Sequence, residues 1–339
     1  MGISATELAE SPVGAEEAPE GKKLAGRSPT QIALSRLRRD KVALVCGVIV
    51  IIMVLAAIFA PLICKALNIY PTAATIPYDP SNVLDFETGL PLQGPPNHGF
   101  WPAHPLGLAP QTAVDNLARL LYGLRTSLLV ASCATIFSIL IGVVSGLMAG
   151  FSRGWLDRVI MFVTDLFLSF PFILGALAMS PILVSHFPKG SQLNTLYRVQ
   201  LISLICILVI FGWMGICRLV RGQVLSLRER EFVQAAQVMG VPTRRILFKE
   251  LLPNLVAPIV VATSLALPAY VTAEAGLSYL GIGIVGIPSL GQTIFDAQAW
   301  WNLYPLYLWA PVLTITVLVL ALNLLADSIR DAFDPRTRR

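Results

Sequence analysis

Two carboxylates in this chain stand where charge is least expected. Asp165 lies in the stretch MFVTDLFLSF and Glu274 in ATSLALPAYVTAEAGLSYLG, each embedded in otherwise uncharged, apolar sequence. A charge in such surroundings is costly and is retained where it faces a cavity, a pathway or a partner, so both acids are candidate functional residues. A polar contact between helices is the structural alternative. Glu274 is also close enough to the end of its run for its side chain to snorkel toward an interface. Other chemistry is scarce. Cys46, Cys64, Cys133, Cys206 and Cys217 lie in or at the ends of apolar runs without metal-type spacing, and read as small packing residues. His98, His104 and His186 are scattered outside those runs and make no ligand set. No Gly-x-x-x-x-Gly-Lys-Ser/Thr and no His-Glu-x-x-His occurs, so the chain lacks a phosphate-binding loop and a zinc-protease signature. No nucleophile, base and acid combine into a catalytic set.

The elements that must hold these residues are apolar and long. The chain has 339 residues, of which 55% are hydrophobic and only 13% charged. Soluble domains carry about 25% charged residues. With a mean hydropathy of +0.70 and several uncharged runs of about 20 residues, this is the composition of a multi-spanning membrane protein. Six spans are expected, over 42–64, 126–150, 158–184, 199–217, 255–280 and 306–326, giving an all-α fold. A formal net charge of +5 does not argue for nucleic acid, because the positive charge is sorted by loop. All but Lys65, Arg119, Arg125, Lys189 and Arg198 of the 25 Lys and Arg fall on one side of the expected bundle. That bias puts both termini in the cytoplasm.

The segments divide accordingly. Residues 1–27 have no periodicity and read as a disordered cytoplasmic tail. Residues 28–64 hold a basic interfacial helix, set to meet lipid headgroups, and the first span. Residues 65–123 form an extracytoplasmic loop too long to be idle. Residues 124–326 are the core of the protein, and 327–339 a cytoplasmic tail. Gly142, Gly146 and Gly150 repeat at four-residue spacing, a face for close helix packing. Trp300, Trp301 and Tyr304 fit an aromatic belt at the head of the last span.

Within the core, 218–254 is a charged island between apolar runs. Seven basic residues mark it as cytoplasmic: Arg218, Arg221, Arg228, Arg230, Arg244, Arg245 and Lys249. Ser226 and Glu229 have capping-box spacing, so a helix is expected over 227–239. Phe232, Ala235, Ala236 and Met239 would form one apolar stripe on it. Gly240 and Pro242 should end it, and a second short helix is expected from Thr243 to Pro253. A helix this short needs a surface to pack on, in its own chain or in another.

Gln234-Ala235-Ala236, then Gly240, then Leu252-Pro253 resembles the Glu-Ala-Ala loop of ATP-binding-cassette importer permeases, with Gln234 in place of the Glu and Glu250 in place of an Ile. The run Asp327, Arg330, Asp331, Asp334, Pro335, Arg336 is similar to the C-terminal pattern of their oligopeptide, dipeptide and nickel C-type subunits. So are Ala273–Gly283 and His104-Pro105-Leu106-Gly107 with Arg119, Tyr122, Gly123 and Arg125, although Ala113-Val114-Asp115 departs from the pattern there. The family's Met-Arg-x-x-Asp reads Met161 to Asp165 here, with the Arg lost and the acid kept.

The resemblance implies a permease subunit, not an enzyme, in the cytoplasmic membrane of a prokaryote. It implies no cofactor on this chain, ATP being held by two partner ATPase subunits, together with a second, B-type permease and an extracytoplasmic solute-binding protein. It makes Phe232, Gln234, Ala235, Ala236, Met239, Gly240, Leu252 and Pro253 the ATPase-coupling residues. Peptides are the expected solute, with a nickel chelate, glutathione, an opine or a sugar as alternatives on the same machinery. A secondary transporter or channel would lack the ATPase, and the sequence shows none of the internal repeat such folds carry.

Overall fold

The computed structural model describes residues 29–152, 154–185, 193–284 and 286–334. The tail expected over 1–27, His186, and the residues from Pro335 onward lie outside the described residues. A short helix α1 (Pro29–Leu37) leads into α2 (Lys41–Leu67). Asp40 caps α2 by accepting the Val42 amide at 2.9 Å. Asn68 closes it in the left-handed region at φ 54°, which asparagine tolerates better than most residues. Then come α3 (Asn116–Phe151), α4 (Trp155–Ser169), α5 (Phe172–Ser185) and α6 (Leu193–Leu227). Helices α7 (Glu231–Val238), α8 (Thr243–Arg245), α9 (Leu252–Leu277), α10 (Leu290–Ala297) and α11 (Pro305–Phe333) complete the chain. Among the described residues the only strand-like pairings are isolated bridges in the loop before α3.

Five helices are long and apolar enough to cross a bilayer, and α4 with α5, a pair bent by 95°, counts as a sixth if the two are taken as one broken span. One continuous span was expected over 158–184. Instead Phe170 is extended at ψ 130°, because the ring of Pro171 disfavours helical backbone in the residue before it. The second short helix expected from Thr243 to Pro253 begins at Thr243 but does not stop. A wider π turn over Ile246–Leu251 carries it into α9, giving one helix over Thr243–Ile282. Pro253 sits in the first turn after the π segment, where an amide that cannot donate is tolerated.

Helix α3 is the centre of the bundle and packs on α2, α6 and α9. Its glycine ridge lies flat against α6. A Cβ at Gly142 would come within 2.6 Å of Ile216 Cβ, and one at Gly150 within 2.7 Å of Val224 Cβ. The two helices therefore meet more closely than any side chain would allow, as the four-residue spacing predicts. Three apolar clusters fill the bundle. One joins α2, α3, α9 and α11 through Leu124, Leu128, Val271 and Leu318. The second joins α3, α5, α6 and α9 through Val130, Ala176, Leu204 and Leu277. The third ties α3 and α6 to the connection that follows, through Leu147, Val220, Val233, Ala236 and Ile246.

The bundle has two unlike ends. At one, α1 lies against the last turn of α11, with Arg36 donating to the Asp334 carbonyl at 3.1 Å and to that of Ala332. The basic helix expected to meet lipid thus spends one of its arginines, and the buried Ala33, on its own chain. Helix α7 is at this same end, where Arg228 donates to the Gly150 carbonyl at 3.0 Å. The other end carries residues 68–115 and α10.

Candidate functional site

Helix α7 starts at Glu231, not near Ser226. The capping box does not form because α6 continues helical through Leu227. The chain then turns at 228–230, and Glu231 enters the first turn of α7, where the helix dipole favours an acid. Gly240 follows at φ +72°, the left-handed conformation expected of it, and Pro242 precedes α8.

Val233 and Ala236 are buried against Ile246, Leu251 and Val220. Phe232, Ala235, Val238 and Met239 face out, with Val238 88% and Met239 74% exposed. The stripe read from the sequence thus divides. Ala236 holds the helix to its own chain, while Phe232, Ala235 and Met239 remain on the free side with Val238, which the sequence reading missed. Gln234 is exposed and donates to the Glu229 carbonyl at 3.3 Å. Leu252 is half-buried at the edge of the same apolar cluster and Pro253 is exposed. The site is an eight-residue helix, anchored by one face and bare on the other.

The two embedded acids differ from each other in character. Asp165 is exposed and forms an ion pair with Arg218 across α4 and α6. One turn or more nearer the chain turn, Arg221 grips Asp157 through both carboxylate oxygens at 2.6 and 2.8 Å. Glu274 has no exposed surface, so it does not snorkel to an interface. Its Oε1 accepts the Ser278 hydroxyl at 2.7 Å, and its Oε2 has no hydrogen-bond partner. The hydroxyls of Ser127 and Ser289 stand beside it. This is the junction of α3, α9 and α10. Leu290 donates its amide to Ser127 Oγ at 3.2 Å, Ser289 caps α10, and Gly291 lets α10 lie directly on the backbone of Ala275.

A buried polar network closes the opposite end of the bundle. Asp115 accepts the Ala118 amide at 2.8 Å, capping α3, while its other oxygen meets His104 Nδ1 at 2.6 Å. The Tyr304 hydroxyl donates to the Leu106 carbonyl at 2.6 Å, and Asn116 donates to that hydroxyl at 3.3 Å. Burial pushes the Tyr304 phenol up from its usual range, so it remains a donor. Arg119 donates to Tyr307 at 2.9 Å and pairs with Asp296. Tyr304 is fully buried, and only Trp301 of the expected aromatic belt is prominently exposed. His104 and Asp115 are 11 residues apart in irregular chain, so no periodicity announces the pair. The one available signal was an acid immediately before a helix.

Among the described residues no group of three or more His, Cys, Asp or Glu is placed to hold a metal ion. What the structure offers is a membrane bundle with a short helix at one end that is apolar and bare on one face. Residues 142–339 match the family described as the binding-protein-dependent transport system inner membrane component, and the chain belongs to that family. Residues 28–95 match the N-terminal transmembrane domain of oligopeptide transport permease C. The chain is 31% identical to the oligopeptide transport system permease protein OppC of Bacillus subtilis, over 91% of this chain and 90% of that one. It is 33% identical to the dipeptide transport system permease protein DppC of Alkalihalophilus pseudofirmus, over 92% and 91%. It is 35% identical to OppC of Mycobacterium tuberculosis, over 83% and 90%. A solved structure of the MetNI methionine ABC transporter in an inward-facing conformation superposes with a TM-score of 0.52, covering 64% of this chain and 97% of that one. At 21% identity this likeness concerns the fold. The chain is a multi-pass membrane permease subunit of an importer, not an enzyme.

Proposed function

We propose that this chain is one half of a peptide-conducting pore and that α7 passes the work of ATP hydrolysis to it from a separate ATPase subunit. The observation that carries the reading is the bare apolar face of α7, formed by Phe232, Ala235, Val238 and Met239 on a helix whose other face is locked into the core. Exposed apolar surface on a short, anchored helix is what a groove on a partner fits. Val233 and Ala236 transmit the push, because they seat α7 against α6 and the start of the long helix over Thr243–Ile282. Gly240 sets the turn, and Leu252 and Pro253 begin the helix that would receive the motion. The α7 end is cytoplasmic in this reading, as the loop charges require. The opposite end meets an external solute-binding protein, and a second permease subunit completes the pore. Peptides are the solute, because permeases named for oligopeptides and dipeptides match nearly the whole chain.

The test is reconstitution of the chain with its partner permease, ATPases and binding protein in lipid vesicles. ATP-dependent accumulation of a labelled tripeptide is expected. Accumulation that proceeds without ATP would convict the reading in favour of a secondary transporter or channel. Orientation is checked with an impermeant thiol reagent on a cysteine-free background. A cysteine at position 88 should label in intact cells and one at position 243 should not; the reverse pattern sinks the assignment of the two ends.

A further inference from the structure

A cavity of about 300 Å³ opens between α3, α5, α6 and α9. Its walls include Phe172 and Phe211, the phenol of Tyr270, the hydroxyl of Ser138, the bare backbone of Gly215 and the small side chain of Ala269. Two observations set it apart. Ser138 is 1% exposed, its hydroxyl has no partner within hydrogen-bonding geometry, and the Tyr270 phenol stands beside it. Buried hydroxyls are normally satisfied, so an orphan on a cavity wall marks a place where a polar atom is received. The second observation is the break in the α4–α5 pair. Phe172, the first residue after it, lines the cavity. Non-helical backbone at membrane depth is tolerated where it is buried in protein or borders a cavity, and the helix that restarts after the break brings Phe172 to this one.

The larger cavity nearby, about 370 Å³ between α3 and α9, is lined by Ile, Leu, Val and Phe alone and offers no such atom. The cavity at Ser138 also lies near mid-helix. Ser138 is well inside α3 and Gly215 well inside α6, away from both ends of the bundle. Its volume is at the bottom of the roughly 300–1,000 Å³ range of small-molecule sites, too small for a peptide and suited to one side chain.

We propose that this cavity receives a single apolar side chain of the peptide in transit, with the Ser138 and Tyr270 hydroxyls meeting a backbone amide beside it. The inference rests on the peptide reading above. It makes the permease, and not the binding protein alone, a selector among peptides.

The experiment compares uptake of labelled Ala-Ala-Ala and Ala-Phe-Ala by the full transporter in vesicles, with the same binding protein throughout. Gly215→Leu fills the cavity from α6, where an added Cβ meets no atom within 4 Å. Ala269→Leu fills it from α9, so one wall remains testable if the other variant fails to assemble with its partners. Each should lower Ala-Phe-Ala uptake about tenfold relative to wild type while Ala-Ala-Ala stays within about twofold. Equal losses for both peptides, or no loss for either, overturn the assignment while leaving peptide import standing. Failure of the wild-type assembly to import either peptide overturns the peptide reading itself, and this proposal with it.

Discussion

The two ends of the bundle solve the same problem in opposite ways. Both must order irregular chain that the membrane does not support. At the α10 end the chain satisfies itself: Asp115 caps α3 and holds His104, Tyr304 and Asn116 close on Leu106, and Arg119 pairs with Asp296. At the α7 end one apolar face is buried and the other is left bare, at Phe232, Val238 and Met239. The acids follow the same division, Glu274 buried near the first end and Asp165 exposed toward the second. A closed polar network fixes a shape within the chain, whereas a bare apolar face requires a second chain. On the proposed function, the difference separates the part of the molecule that holds the fold from the part that passes on force.

If the division is right, substitutions at the closed end should cost stability and those on the bare face should not. The largest expected effect is Asp115→Ala. It removes an N-cap worth about 1 kcal/mol and leaves buried His104 without its partner, at about 1–3 kcal/mol more. The thermal midpoint of the detergent-solubilised protein should drop by several degrees. Asp115→Asn, which can still cap α3, should recover part of the loss. A wild-type midpoint in Asp115→Ala would mean that the network does not hold that end.

Next comes Ala236→Arg. The residue lies inside, against Ile246 and Val220, so an arginine there cannot be buried without several kcal/mol of cost. Helix α7 can instead detach locally, which caps the loss at the docking energy of the loop. The expected result is a folded bundle that a protease cuts between residues 228 and 245, with transport lost. Resistance to cleavage equal to wild type would place Ala236 on the outer face after all. Gly240→Val should follow, at about 1–2 kcal/mol, because a branched residue resists the φ of +72° found there.

Much of this division was legible in the sequence, and the reasons for the rest are physical. The six-span pattern, the glycine ridge and the positive φ of Gly240 follow from composition and spacing that act locally. The start of α7 was misplaced because Ser226 and Glu229 satisfy a local capping rule that loses to continuation of a 35-residue helix. From the sequence, the stripe of Phe232, Ala235, Ala236 and Met239 stands open to a surface in its own chain or another, and packing divides it: Ala236 turns inward with Val233, and the others stay outside. Glu274 was recognisable as an embedded acid. Its neighbours were not, since Ser127 and Ser289 come from positions far apart in the chain and meet it only through packing. The bend at Pro171 was visible as a proline, but its 95° angle depends on what lies around it.

The smallest expected effect on the folded chain belongs to the bare face itself, and it cuts most sharply. Phe232→Ser and Met239→Ser each replace an exposed apolar side chain that takes no part in the buried cluster. Surface changes of this kind move stability by about 0.5 kcal/mol or less, and water meets the new hydroxyl at no cost. The thermal midpoint and protease pattern should therefore match wild type. Coupling should not, because each variant removes part of the apolar contact that the partner groove would bury. The measurement is peptide-stimulated ATP hydrolysis beside uptake in the same vesicles. Uptake should fall severalfold at unchanged stability, with the double variant below either single one. Normal uptake in the double variant would show that Val238 and Ala235 suffice or that α7 does not dock by this side. Adding Val238→Asp to it decides between these: if transport survives that as well, the bare face is not where the force enters.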